Sequence, residues 1–310
     1  MVIAMAIEAV LGWPAGIFRR VGHPVTWLGR LIRSIDDKFN VDVDSLPVRR
    51  FKGSMALLAV VAAAALPSIA VQSLLPPNFT GTLLLGVLAW PLVASRSLYD
   101  HVAAVAAPLG HGDLAAARSA VAMIVGRDTS KLDEAGVARA AIESLAENTS
   151  DGIVAPIFWG VLLGLPGIAG YKAINTLDSM IGHRTSRHEA FGWASARADD
   201  VANFVPARFT ALLLALISCK PMATMGLAVR DAKHHRSPNA GWPEAAMAGA
   251  LGIRLSGPRI YHDRISEEPW LNEGGREAVA EDIWSALHRY FLAVLLLSAI
   301  CALMALVAGT

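Results

Sequence analysis

The sequence predicts an all-α, polytopic integral membrane protein with helical cytoplasmic segments and two segments read as re-entrant helices. Composition is the first reason: 54% of the residues are hydrophobic and 17% charged, whereas soluble proteins carry about 25% charged residues. The second is that the mean hydropathy of +0.46 comes from discrete apolar runs. The third is that no stretch shows the apolar–polar alternation of a half-buried strand. There is no low-complexity linker and no internal repeat, so residues 1–310 read as a single membrane-embedded domain.

Met1–Phe18 is apolar around Glu8 and lacks a basic leader region or small-residue cleavage motif, so it reads as a retained hydrophobic helix. Arg19, Arg20, Arg30, Arg33, Lys38, Arg49, Arg50 and Lys52 follow, which places this segment in the cytoplasm. Gly53–Leu75 is uncharged and long enough to cross about 30 Å of hydrocarbon. Pro76, Pro77 and Asn78 mark a tight turn, and the uncharged Phe79–Ser95 returns the chain to the cytoplasm. Leu114–Val125 and Lys131–Glu147 read as alanine-rich helices, the second with Ser130 as N-cap and Asp133 three residues on. Tyr290–Gly309 is a further crossing.

Ile153–Gly170 and Phe204–Cys219 are weaker apolar runs. The first is dense in glycine and carries Pro166; the second is interrupted by Pro206 and Arg208. If both crossed, Lys172, Arg184, Arg187 and Arg197 would face away from the cytoplasm, against the positive-inside rule. Irregular backbone at membrane depth is tolerated where it is buried in protein or lines a cavity. Both runs are therefore read as re-entrant or partly inserted, with the polar segment between them cytoplasmic.

Several function classes are excluded early. A net charge of +1 leaves no nucleic-acid footprint. Cys219 and Cys301 sit in apolar runs with neither disulfide nor zinc spacing. No phosphate loop, dinucleotide fingerprint, nucleophile elbow or HExxH motif is present.

Polar residues concentrate between Glu143 and Arg208. In IESLAENTSDGIVAP, Glu143 and Glu147 lie one helical turn apart with Asn148 beside them, and Asp151 joins that face if the helix continues. Neighbouring carboxylates repel, so a cation between them is one reading and a solvated helix end the other. In YKAINTLDSMIGHR, Lys172, Asn175 and Asp178 follow a three-residue step, and His183 and Arg184 follow Gly182. Oxygen ligands of this kind suit Mg²⁺ or a polar substrate. In SARADDVANFVPAR, Arg197, Asp199, Asp200, Asn203 and Arg208 stand at the edge of an apolar run, where charge is costly and points to function. Farther on, His235, Arg236 and Asn239 occupy a basic loop suited to an anion, and His23 lies in the basic N-terminal segment.

Together, ENTSDGIVAPIFW, YKAINTLDSMIGHR, FGWASARADDVANFVPAR and HRSPNAGWPEAAMAGALG, with HPVTWLGRLI near the start, resemble the adenosylcobinamide-phosphate synthase family of cobalamin biosynthesis. The resemblance runs from about His23 to Trp284. It departs at Gly12-Trp13-Pro14, where family members carry Gly-Asp-Pro; Glu8 could supply a nearby carboxylate.

The resemblance implies a multi-pass enzyme of the cell inner membrane, with its active site facing the cytoplasm. It would join adenosylcobyric acid to (R)-1-amino-2-propanol or its O-phosphate, with ATP as co-substrate, Mg²⁺ as cofactor and the corrinoid as substrate. Asp151, Asp178 and Asp200 are then the expected metal ligands, with Glu147 beside them in metal and phosphate handling. His183 or Asp199 is the expected base. Lys172, Arg184, Arg197 and Arg208 would hold phosphate or corrinoid side chains, and Asn148, Asn175, Asn203, His23, His235, Arg236 and Asn239 complete the expected substrate contacts. Expected partners are the lipid bilayer and either other cobalamin-pathway proteins or a second copy.

Three other readings compete. A membrane regulatory protein of the β-lactamase-signalling type would not be expected to hold all three polar clusters. A membrane prenyltransferase calls for more crossings, and a transporter for repeated halves.

Overall fold

The computed structural model describes residues 1–308 apart from 127, 184, 262, 263 and 267. It is predominantly helical, and among the described residues four helical stretches are long and apolar enough to cross a membrane: Leu46–Leu74, Phe79–Gly110, Glu134–Gly182 and Ala280–Val307. The chain divides into two compact units. One comprises Met1–Ala94 with Ala155–Asn203, and the other Ser95–Val154 with Phe204–Thr310.

In the first unit, helix Leu46–Leu74 packs along helix Ala155–Leu177. Ala56 and Val60 from one, with Ala173 and Leu177 from the other, form a buried core that Ile32, Ile181 and Phe191 complete. The small side chains of Ala56 and Ala173 favour close approach of the two helices, as is common where apolar helices associate in a membrane. The outward side of Leu46–Leu74 stays apolar and exposed, with Leu58, Leu66 and Leu74 at 60%, 62% and 84%. That face suits lipid chains.

Ile153–Gly170, read from the sequence as re-entrant or partly inserted, lies within a helical run from Glu134 to Gly182 that is long and apolar enough to cross by length and composition. The run is broken at Gly164, whose φ of 68° lies in the left-handed region. The break frees the Leu165 N–H, which donates to Gln72 Oε1 at 2.7 Å. A polar side chain inside an apolar helix thus satisfies the irregular backbone. Phe204–Leu216, the other weak run, is a 13-residue helix, too short to cross.

The expected single helix over Met1–Phe18 is two. Val2–Leu11 ends at Gly12 with φ 55°, and Ala15–Val21 starts after Pro14. Helix Pro24–Phe39 then carries Ile32 and Asp36 on its buried side. Asp36 accepts hydrogen bonds from Asn40 Nδ2 (2.7 Å), Arg187 Nη2 (3.0 Å) and His188 Nε2 (3.2 Å). Arg49 joins in, donating through Nε to Asn40 Oδ1 at 2.9 Å and through Nη2 to the Arg187 carbonyl. This buried network ties the segment after Gly182 to two N-terminal helices.

In the second unit, Asp113 and Asp133 cap helices Leu114–Val121 and Glu134–Thr149 by accepting from the Ala116 and Gly136 N–H groups. The cap is therefore Asp133, not Ser130, and the helix starts three residues later than the spacing suggests. Helix Gly241–Leu251 packs against Pro221–Asp231, Phe204–Leu216 and Glu134–Thr149. Two short antiparallel pairs follow, Leu255–Ser256 with Trp270–Leu271 and Arg259–Tyr261 with Arg264–Ser266. Strands of two or three residues are too short for alternation to show in the sequence.

Candidate functional site

The first unit gathers Asn175, Asp178, Arg197, Asp199, Asp200 and Asn203 around the meeting of two helices. Helix Ala155–Leu177 widens into a π-turn over Asp178–Gly182, and helix Trp193–Ala202 packs beside it. Trp159 Nε1 donates to the Ala202 carbonyl at 3.1 Å and fixes one end of this contact. Tyr171 is buried one turn before Asn175, and its hydroxyl donates to Asn203 Oδ1 at 2.9 Å. Asn203, 1% exposed, passes its Nδ2 to Asp199 Oδ2 at 2.9 Å. A buried relay from Tyr171 through Asn203 thus aims and holds Asp199.

Asp199 carries the chemical tension of the unit. Its Oδ1 is buried and makes no hydrogen bond among the described residues. Burial first, then the neighbouring Asp178 and Asp200 carboxylates, push its pKa up to about 7, against the hydrogen bond from Asn203 and a further pull from Asn175. Asp200 is half-buried and pairs with Arg197 Nη1 at 3.0 Å. Asp178 lies against Gly182, where a Cβ would meet its Oδ1 at 2.0 Å. No three His, Cys, Asp or Glu side chains among the described residues gather as a metal site. Asp178 and Asp200 are close enough to act electrostatically on one another, and Mg²⁺ bound with a phosphate substrate uses one or two carboxylates.

The remaining expected residues of this unit are more dispersed. His183 is exposed just beyond the π-turn, and Arg184 lies outside the described residues. Lys172 is half-buried and close enough to act electrostatically on His23. His23 itself caps helix Pro24–Phe39, its Nδ1 accepting from the Val25 N–H at 3.2 Å, and stands edge-on to Trp13 at 4.9 Å.

In the second unit the polar residues largely serve one another. Arg208 donates Nη1 to Asn239 Oδ1 and to the Phe204 carbonyl, both at 2.8 Å, and Nη2 to the Pro238 carbonyl at 3.3 Å. Its guanidinium also lies over the Phe204 and Trp242 rings, 3.8 and 4.8 Å from their centroids. These contacts fasten the loop around Asn239 to helix Phe204–Leu216. His235 accepts from the Ser237 N–H through Nδ1 at 3.0 Å and faces Glu244 through Nε2 at 3.6 Å. Arg236 is exposed in the same turn.

Glu143 and Glu147, expected on one face, differ in role. Glu143 is 6% exposed and accepts the Ser256 N–H at 2.7 Å, holding a residue whose φ is 61°. Glu147 and Asn148 are exposed; Asn148 donates to the Ser144 carbonyl at 2.9 Å. The helix does continue past Thr149, as a π-turn over Ser150–Val154 that carries the half-buried Asp151. Single π-turns occur often at functional sites, and here each of the two bears a candidate carboxylate.

Sequence reasoning missed Tyr171, the Asp36–Arg187–His188 network and the bond from Glu143 to the Ser256 backbone. Two signals were present: Tyr171, Asn175 and Asp178 fall at i, i+4 and i+7, and Asp36 follows Ile32 by four on an amphipathic helix.

The fold and these clusters define a multi-pass helical membrane protein that keeps buried carboxylates in a mostly apolar chain. The CobD/Cbib protein family matches residues 1–290. A cobalamin biosynthesis protein CobD of Rhodobacter capsulatus is 58% identical over 290 residues, covering 94% of this chain and 91% of that protein. Proteins of the same description from Brucella suis biovar 1 and Rhizobium meliloti are 47% and 44% identical, each over more than nine-tenths of this chain. No solved structure matches. The chain belongs to the CobD/CbiB family of cobalamin biosynthesis.

Proposed function

We propose that this protein is an ATP-dependent amide ligase of cobalamin biosynthesis, joining adenosylcobyric acid to (R)-1-amino-2-propanol or its O-phosphate to give adenosylcobinamide or its phosphate. The observation that carries the chemistry is Asp199, a half-buried carboxylate whose Oδ1 is buried and has no hydrogen-bond partner among the described residues, with a pKa raised to about 7. A carboxylate is a poor acyl donor. An oxygen of the adenosylcobyric acid carboxylate would first take the γ-phosphoryl group of ATP, releasing ADP. The amine nitrogen then attacks the carbonyl carbon, phosphate leaves, and the nitrogen loses a proton.

Asp199 is suited to receive that proton, because a general base works best with a pKa near the working pH. Asn203 and Tyr171 keep its other oxygen oriented. Mg²⁺ would be held by Asp178 and Asp200, where it would neutralise charge on the transferred phosphoryl group. Arg197, which pairs with Asp200, would hold a phosphate oxygen. The roles of Glu147, Asn148 and Asp151 rest on the resemblance alone. The reaction is assigned to the cytoplasmic face of the inner membrane, where ATP is available.

The test is an assay in membranes with adenosylcobyric acid, MgATP and each amine in turn, reading corrinoid amide and ADP. The expected result is stoichiometric amide and ADP with one of the amines. No amide with either, under conditions where a related protein works, would sink the ligase reading.

A further inference from the structure

Beside the acidic cluster, Gly182, Glu189, Trp193, Ala196 and Arg197 line a cavity of about 330 Å³. Its walls differ in chemistry. Gly182 lies directly against Asp178, and Arg197 is paired with Asp200 at 3.0 Å, so this side borders the carboxylates. Trp193 supplies an indole 47% exposed, with the Arg50 guanidinium 5.8 Å from its ring centroid. A large aromatic exposed at the mouth of a charged cavity offers a flat stacking surface. Glu189, also exposed, adds an acceptor on the same wall.

Size and shape restrict what fits. Ligand cavities run from about 300 to 1,000 Å³, so this one stands at the small end. A corrinoid macrocycle is far too large for it. The aliphatic amine has no flat ring to lay on an indole. A purine nucleoside has both the size and the aromatic face, and its phosphates would extend toward the basic and metal-binding side.

We propose that this cavity binds the nucleoside of the MgATP substrate, with the base stacked on Trp193 and the phosphates directed toward Arg197 and the Asp178–Asp200 pair. The inference rests on the ATP-dependent reading above and adds a location and a recognition chemistry to it.

The experiment uses the full chain in lipid nanodiscs and measures equilibrium binding of two probes with Mg²⁺: the non-hydrolysable adenylyl imidodiphosphate, and inorganic tripolyphosphate. Base–aromatic stacking leads us to expect Trp193→Ala and Trp193→Leu to weaken the nucleotide about 5- to 100-fold. Trp193→Phe should restore most of the affinity, and tripolyphosphate should bind all variants alike. Photolabelling of the unsubstituted protein with 8-azido-ATP should mark residues 182–197, which keeps the test decisive if a variant fails to fold.

Wild-type nucleotide affinity in both the alanine and leucine variants would overturn the inference, leaving the ATP reading standing. Equal loss of both probes, or photolabel elsewhere in the chain, would also overturn it and leave Trp193 as a structural or lipid-facing residue. A wild-type protein that neither binds nor consumes ATP would bring down the ATP reading itself.

Discussion

Two aspartates, one in each unit, are held in opposite states. Asp231 is 4% exposed and receives Arg230 Nε at 2.5 Å, Arg230 Nη2 at 2.8 Å and the Asn272 N–H at 2.8 Å. The hydrogen bonds from Arg230 hold its carboxyl below the usual range, outweighing burial. Asp199 has one hydrogen-bonded oxygen, one buried oxygen with no partner among the described residues, and two carboxylate neighbours, so desolvation wins and its pKa rises to about 7. Burial alone does not decide what a carboxylate does; its partners do. A satisfied aspartate fastens a loop, whereas an unsatisfied one near neutrality is available for proton transfer.

Replacing Asp199 should have the largest effect. Asp199→Asn is expected to lower the rate of amide formation about 100- to 10,000-fold, the usual contribution of a general base, with protein abundance in the membrane unchanged. A loss under threefold would remove Asp199 from the mechanism.

Stability should then separate the two aspartates. Asp199 has a folded pKa above its unfolded value, so its ionised form costs stability at high pH. At pH 8, Asp199→Asn should therefore raise the melting temperature, by a free energy of about 1–2 kcal/mol after allowance for coupling. The gain should fade between pH 7 and pH 4 and vanish below. Asp231 has a folded pKa below its unfolded value, and its stabilisation is present above about pH 4 and lost on acidification. Asp231→Asn should accordingly lower the melting temperature at pH 8. Thermal unfolding in nanodiscs across pH measures both, and equal signs at pH 8 would refute the contrast.

A subtler effect is expected on the pH profile. Activity should fall on acidification, as Asp199 takes up a proton and is lost as a base. Because the Asn203 hydrogen bond lowers the Asp199 pKa, Asn203→Ala should move that fall to higher pH. No movement would disconnect Asn203 from the titrating group. The smallest effect is expected at His183, which is exposed beyond the π-turn; His183→Ala should retain activity within about threefold. A loss as large as that of Asp199→Asn would transfer the base role to the histidine.

Legibility in the sequence followed the range of the interaction. The crossings at Leu46–Leu74 and Ala280–Val307 were readable because apolar length is a local property. Asp178, Asp199 and Asp200 were singled out because charge beside an apolar run is locally anomalous. Helix starts were displaced where two polar residues competed for the cap, as Ser130 and Asp133 did. The contacts of Arg208 with Asn239 and Trp242 are not legible locally because those residues lie about 30 positions away. Tyr171 escaped because its partner Asn203 is equally remote.

The sequence by itself determined that this is a helical membrane protein with a polar constellation between Glu143 and Arg208, and motif order pointed to its family. Those properties depend on residue type and short spacing. Tertiary structure decided which polar groups are spent on one another and which are left unmatched. The pKa of Asp199, the engagement of Arg208 and the cavity at Trp193 all depend on neighbours brought together by folding, and no local pattern encodes them.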